Sequence, residues 1–296
     1  MEWIESPEVM RTRSREARGR GLRVGFVPTM GYLHEGHLAL IRRARELSDF
    51  VVVSIFVNPI QFGPSEDFDR YPRDPERDRA LCGAEGVHVV FSPPASALYP
   101  QGFQTYVTVE DLSRPLCGAS RPGHFRGVAT VVAKLFHIVE PDVAVFGEKD
   151  YQQLQVIRRM VRDLDMPVEI VGVPTVREPD GLAMSSRNAY LDPKERERAL
   201  ALWRGIQRAR DLVERGETRT EAIRRAVQGV LEDADLRVDY VELRHPETLE
   251  PVDAVAPRAL LALAAFVGRT RLIDNCVLEA PGGSAHPEED PCTVRC

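Results

Sequence analysis

The sequence predicts an α/β fold, a Rossmann-like doubly wound parallel sheet with a smaller C-terminal α+β domain. Three observations predict it. Short β-branched or aromatic runs recur through the first two thirds of the chain, and amphipathic helical stretches separate them. Beyond about Asn188 the order changes to long charged helices followed by adjacent strand candidates. The first-part strand candidates are Val24–Val27, Val51–Val57, Val87–Phe91, Val143–Phe146 and Val168–Val171, continuous apolar runs suited to strands covered on both faces. Helices are expected over Gly36–Leu47, Pro75–Ala84, Val128–Val139 and Asp150–Leu164. In the first of these, Leu40, Ile41, Ala44 and Leu47 form an apolar stripe while Arg42, Arg43 and Arg45 face away. Ligands of such sheets bind at the carboxyl ends of the strands.

The second part reads as helices over Asp192–Arg215 and Thr218–Ala234, then strands over Arg237–Arg244, Ala259–Val267 and Thr270–Leu278. The expected division is residues 1–187, 188–280 and a disordered Gly/Pro/Glu-rich tail over 281–296. The linker is expected near residues 185–192, with Asp192-Pro193 starting the next helix.

Composition narrows the function. A formal net charge of −6 argues against a generic binder of nucleic acid or membrane surface, because both partners are anionic. No run approaches the roughly 20 apolar residues that span a bilayer, and the charged opening segment lacks a hydrophobic signal core, so the cytoplasm is the expected compartment. Cys82, Cys117, Cys276, Cys292 and Cys296 include no CxxC pair, and reduced thiols fit that compartment. Cys292, Cys296 and His286 lack a fourth ligand of regular spacing, so no dedicated metal site is expected.

The sharpest feature is Pro28-Thr29-Met30-Gly31-Tyr32-Leu33-His34-Glu35-Gly36-His37, directly after the first buried strand and opening a helix. A strand-to-helix turn presents free backbone N–H groups and a favourable dipole to an anion. His34 and His37, three apart, share one face of the first helical turn. Gly36 between them is expected to let a phosphate come close. As hydrogen-bond donors, the imidazoles can neutralise charge that grows on departing pyrophosphate. HEGH is not the zincin HExxH, and neither a P-loop nor a GxGxxG fingerprint occurs. Taken alone, two solvated histidines would also fit.

Phe146-Gly147-Glu148-Lys149-Asp150 is a second strand-to-helix turn. Lys149 offers a mobile positive charge and Gly147 an open backbone, although an ordinary turn has the same look. Met184-Ser185-Ser186-Arg187-Asn188 places two hydroxyls and a guanidinium at the expected hinge, where a closing loop acts on phosphates; a plain loop is the competing reading. Asn58, Gln61 and Gln153 are neutral amides able to orient hydroxyls and a carboxylate. Tyr71, Arg73, Arg121, His124 and Arg126 suit either substrate contact or loop-fixing pairs, with Arg121 and Tyr71 the stronger functional candidates.

VGFVPTMGYLHEGHLAL, VVVSIFVNPIQFGPSEDFDRYPRD, RPGHFRGVATVVAKLFHIVEPD, FGEKDYQQL and PTVREPDGLAMSSRNAYL together resemble the pantothenate synthetase family, densely from about residue 20 to 195 and more thinly to about 280. HxGH alone is shared across the nucleotidyltransferase superfamily; its combination with SIFVNP-Q, FGEKD and SSRN is far narrower. The resemblance implies attack of pantoate's carboxylate on the α-phosphate of Mg-ATP, giving pantoyl adenylate and pyrophosphate, then attack of β-alanine's amine with release of AMP. It implies that Met30 to His37, Gly147 to Asp150, Val176 and Met184 to Arg187 line the ATP site. His37 would be the proton donor with His34 beside it, and Lys149, Ser185, Ser186 and Arg187 would assist. Gln61, Gln153 and Asn58 would hold pantoate, with Gln61 also near β-alanine. It also implies a homodimer. MSSR resembles the KMSKS loop of the superfamily, but Ala183 stands where that loop has its first lysine, which shifts phosphate charge onto Lys149 and Arg187. A different nucleotidyltransferase would share HxGH without Gln61, Gln153 and FGEKD together. A catalytically dead nucleotide sensor would have no need of His34, His37, Lys149 and Arg187.

Overall fold

The computed structural model describes residues 1–281 apart from Ser65. The tail expected to be disordered, with Cys292, Cys296 and His286, lies outside the described residues except for Pro281.

Six strands, β1 (Glu2–Ile4), β2 (Val24–Thr29), β3 (Phe50–Ile55), β4 (Val89–Phe91), β5 (Val143–Gly147) and β6 (Glu169–Val173), form one parallel sheet in the order β1-β4-β3-β2-β5-β6. The strand order reverses between β2 and β5, so a crevice opens outside their carboxyl ends. Helices α1 (Pro7–Gly19), α2 (Glu35–Leu47) and α3 (Pro75–Ala84) precede the short α4 (Ala95–Leu98) and α5 (Cys117–Ser120); α6 (His124–Val139) and α7 (Tyr151–Asp163) follow. Leu38, Leu40, Ile41 and Ala44 of α2 bury Val27, Val53 and Val145 on one face of the sheet. Met10, Val132, Phe136, Leu154 and Ile157 from α1, α6 and α7 bury Phe26, Val52 and Phe146 on the other. Burial on both faces is why the inner strands read as unbroken apolar runs.

The N-terminal pair β1–α1 is absent from the sequence-based expectation. Only Met10, Ser14 and Ala17 of α1 are buried, so its Arg/Glu-rich sequence carries almost no apolar period. Its start is nonetheless written in Ser6-Pro7: the Ser6 hydroxyl accepts the Val9 N–H at 3.4 Å, and Pro7 occupies the first turn. The single helix expected over Asp192–Arg215 is two, α8 (Pro193–Ala199) and α9 (Ala201–Glu214), separated at Leu200. Asp192 and Glu195 cap α8 reciprocally, at 2.8 and 3.2 Å.

After α10 (Thr220–Asp233), strands β7 (Arg237–Arg244), β8 (Arg258–Val267) and β9 (Thr270–Glu279) form an antiparallel sheet in that order. Leu261, Leu263 and Ala265 of β8 pack under α9 and α10, while Leu260 and Ala262 pack on the core of the first sheet. Both faces of β8 are therefore apolar.

The segment from Arg177 to Arg196 straps the two parts together. Arg177 donates to both oxygens of Asp274 at 2.7 and 2.9 Å and stacks 4.0 Å over Trp203. The Asp274 side chain is only 1% exposed, and Asp274→Ala would leave a guanidinium unpaired in a poorly solvated setting. The expected loss is about 3 kcal/mol of unfolding free energy by urea titration; a loss below about 0.5 kcal/mol would show the pair to be energetically idle. Among the described residues no helix is long and apolar enough to cross a membrane.

Candidate active site

The turn after β2 is built by hydrogen bonds that the motif does not reveal. Thr29 Oγ1 donates to the Ser54 carbonyl at 2.8 Å and accepts the Gly31 N–H at 3.1 Å. The chain then passes through left-handed conformations at Gly31 (φ 81°) and Tyr32 (φ 51°). Asp78 of α3, 1% exposed, accepts the Tyr32 and Leu33 amides at 2.8 and 2.7 Å. Burial pushes this carboxyl up, and the two amides pull it back toward the ionised form.

His34 enters α2 in an extended conformation, and its backbone N–H donates to His37 Nδ1 at 3.3 Å. An accepting Nδ1 assigns the proton of neutral His37 to Nε2. The two rings stack at 4.0 Å between centroids. A Cβ at position 36 would lie 2.9 Å from the Cε1 of His34, so Gly36 makes room for the imidazole as well as lining the cavity. Burial, then the nearby Lys149 charge, lowers the His34 pKa to about 4. Burial, His34 and Lys149 hold His37 well below its ordinary value. At neutral pH both rings are uncharged donors beside one ammonium. His34 Nδ1 is buried with no partner among the described residues.

Lys149 arrives from the carboxyl end of β5 on the single turn Glu148–Asp150. Its ammonium lies 3.8 Å from Asp150 Oδ2. A Cβ on Gly147 would meet nothing within 4 Å, so the backbone there is open to a ligand.

Gln61 lines the same cavity from a turn at Pro59–Gln61. Asn58 orients it: Asn58 Nδ2 donates to Gln61 Oε1 at 2.9 Å and to the Gly127 carbonyl at 3.2 Å, while Asn58 Oδ1 accepts the Tyr99 hydroxyl at 2.7 Å. Gln61 Nε2 rests 3.4 Å from the Met30 sulfur. His124 Nδ1 donates to the Gln61 carbonyl at 2.9 Å while its Nε2 accepts from Arg121 at 3.0 Å. Arg121 is itself forked onto Glu66 at 2.8 and 2.6 Å. Burial and then the Arg121 charge lower the His124 pKa to about 4.

The 184–188 segment closes the far wall. Ser186 Oγ donates to the Tyr32 carbonyl at 3.3 Å, tying this loop to the turn after β2. Arg187 is paired bidentately with Asp67 at 2.9 Å for both contacts and lies 5.6 Å over the Tyr71 ring.

These elements enclose a cavity of about 220 Å³ that adjoins a larger cleft of about 760 Å³ against β9. A family model described as pantoate–β-alanine ligase matches residues 2–277. The chain belongs to that family. It is 57% identical over 280 residues to a pantothenate synthetase of Moorella thermoacetica, covering 94% of this chain and 99% of that one. With a Geobacter sulfurreducens pantothenate synthetase it shares 58% over 279 residues, at 94% and 99% coverage. Its structure is similar to that of a Thermus thermophilus pantothenate synthetase, with TM-score 0.88, 51% identity and coverage of 93% and 99%. A Francisella tularensis pantoate–β-alanine ligase, solved with "beta-gamma ATP" and β-alanine, aligns with TM-score 0.79 at 32% identity over 94% and 97% of the two chains.

Of the candidate site residues, the structure brings Met30, His34, Gly36, His37, Asn58, Gln61, Tyr71, Arg121, Gly147, Lys149, Asp150, Gln153, Val176, Met184, Ser185, Ser186 and Arg187 to the smaller cavity. Gly31, Tyr32, Leu33, Glu35 and Glu148 do not line it. Leu33 is fully buried in the core, Glu35 pairs with Arg42 on the outer surface of α2, and the Glu148 side chain lies over Gly172. Asn58 has all its polar hydrogen-bonding atoms engaged by protein, so it orients Gln61 from beneath. No hydrogen bond among the described residues engages the Gln153 amide, which lines both cavities. Among the described residues no group of three or more His, Cys, Asp or Glu is arranged to hold a metal ion.

The partly buried histidines make a pH prediction. Their folded pKa values lie below that of the unfolded chain (6.5), so between pH 6.5 and about 4 the unfolded state binds more protons. Stability therefore rises with pH across that window and is lost on acidification through it, by up to about 3 kcal/mol for each ring. NMR titration should find His34 and His124 still neutral at pH 5.5; a midpoint near 6.5 for either would contradict the geometry.

Proposed function

We propose that this chain ligates pantoate to β-alanine at the crevice between β2 and β5, through a pantoyl adenylate. The observation that carries the reading is the convergence of two neutral imidazoles, one ammonium and two amides, Gln61 and Gln153, on one cavity at the point where strand order reverses. Pantoate is already a carboxylate at neutral pH, so its attack on the α-phosphate needs no strong base. Positioning and charge neutralisation dominate. Lys149 sits on the departing β,γ-phosphates. His37 Nε2–H and His34 donate to them, and the approach of the polyphosphate charge raises both pKa values toward proton donation. Mg²⁺ comes bound to the ATP phosphates. Gln61 and Gln153 hold pantoate's hydroxyls and carboxylate, and Gln61 also meets β-alanine. In the second step an uncharged amine attacks the anhydride carbonyl and AMP leaves. Ser185, Ser186 and Arg187, with residues 188–280 as a lid over residues 1–187, keep water from the anhydride. Arg187 must exchange its Asp67 partner for phosphate oxygens when the site fills. A cytoplasmic homodimer is the form in which we expect it to act.

Incubation with ATP, Mg²⁺, pantoate and β-alanine, with omission of each in turn, tests the reading by mass spectrometry. Pantothenate, AMP and pyrophosphate should appear together only in the complete mixture, and pantoate alone should support pyrophosphate exchange into ATP. Exchange driven by other acids and not by pantoate would overturn the assignment.

A further inference from the structure

Lys149 has no close ion partner to fix it: the nearest carboxylate oxygen among the described residues, on Asp150, is 3.8 Å away. Its placement comes from its backbone, and that backbone is held from the other sheet. Asn275 of β9 donates both hydrogens of one side-chain amide to consecutive carbonyls, Glu148 at 3.0 Å and Lys149 at 2.8 Å. The preceding residue anchors this contact. Asp274 Oδ1 accepts the Asn275 backbone N–H at 2.8 Å while both its oxygens bind Arg177, one residue after Val176. Two adjacent residues of the C-terminal sheet thus grip the turn after β5 and the segment after β6, two backbone stretches that line the cavity.

We infer that Asn275 is a positioning residue for Lys149, through which the C-terminal sheet sets the ammonium against the departing phosphates. The inference rests on the role proposed for Lys149. A side-chain amide is the right group for the task. It is uncharged, so it adds no competing field beside the ammonium, and its planar NH₂ reaches two carbonyls at once. A displacement of the ammonium by about 1 Å suffices to cost on the order of 10²-fold in rate.

The test is a double-mutant cycle in the full-length protein, combining Asn275→Ala with Lys149→Ala and reading pantoate-dependent pyrophosphate exchange and ATP affinity by calorimetry. Asn275→Leu serves as a second, uncharged variant of similar size that cannot donate. In the wild-type background either change should lower exchange kcat about 10- to 100-fold with pantoate KM within about twofold. In the Lys149→Ala background either should change exchange and ATP affinity by less than about twofold, because the group being positioned is gone. Equal losses in both backgrounds, or unaltered kcat in the single variants, overturn the inference. Absence of pantoate-dependent exchange in the wild type would instead defeat the proposed reaction, and a fully active Lys149→Ala would defeat the role of the lysine; either takes the inference with it.

Discussion

Lys149→Ala lowers pantoate-dependent pyrophosphate exchange by about 10²- to 10³-fold, the range for removing one preorganised charge from a developing oxyanion. The melting temperature stays within about 2 °C, as for other changes at partly exposed sites outside the core. The side chain is 19% exposed at the cavity wall, and its only ion pair among the described residues is the long contact to Asp150. Deleting it therefore breaks little that holds the fold. It also removes a charge that lowers the pKa values of both His34 and His37, so both imidazoles titrate at higher pH in the variant. The pH dependence of any residual exchange should shift upward accordingly. An unchanged exchange rate would leave the ammonium without a role in pyrophosphate departure, whatever the fate of the family assignment.

How much of this site can be read from the sequence follows from which contacts are local. His34 and His37 announce themselves because strand, turn and helix run consecutively and each has its own period. Lys149 is legible for the same reason, at the strand-to-helix turn that follows β5. The residues that hold these groups in place are not legible, because their partners lie far along the chain. Asp78 supports the Tyr32–Leu33 backbone from more than 40 residues away, and Asn275 supports Lys149 from 126 residues away. Asp78 does leave one trace: it falls three and four residues before Leu81 and Cys82, a carboxylate on the inward stripe of α3. Gly36 shows the opposite failure. Its smallness is readable, but one reason for it is not, since only the folded loop shows how close the His34 ring comes to that position. The same holds for Asn58, whose amide type suggests a substrate contact until Tyr99 and the Gly127 carbonyl are seen to engage it. Helix α1 is invisible to periodicity because only three of its side chains are buried; its capping residues are the available signal.

Gly127→Ala is the second change with a large expected effect, and two opposing terms decide its sign. Gly127 lies within α6, where alanine is favoured over glycine by about 1 kcal/mol. A Cβ there, however, would sit 2.5 Å from the Ile60 carbonyl oxygen, 2.7 Å from Gln61 Cα and 2.8 Å from Gln61 N. All three are backbone atoms, so no side chain can swing aside. The turn Pro59–Gln61 has to move away from the helix, and overpacking of this kind costs about 1–3 kcal/mol and occasionally more. With all the contacts on backbone the clash wins, and the protein is destabilised in urea by up to about 2 kcal/mol net. The functional consequence is more specific than the loss of stability. Gln61 is held by His124 on its carbonyl and by Asn58 on its side chain, and Asn58 is itself tied to the Gly127 carbonyl. Separating turn from helix strains these contacts together and moves the Gln61 amide away from the Met30 sulfur. Pantoate KM should therefore rise at least about tenfold, while ATP KM changes by less than about threefold because the His34, His37 and Lys149 wall is untouched. A more stable variant with an unchanged pantoate KM would mean that helix propensity governs this position and that Gln61 does not depend on its seat against α6.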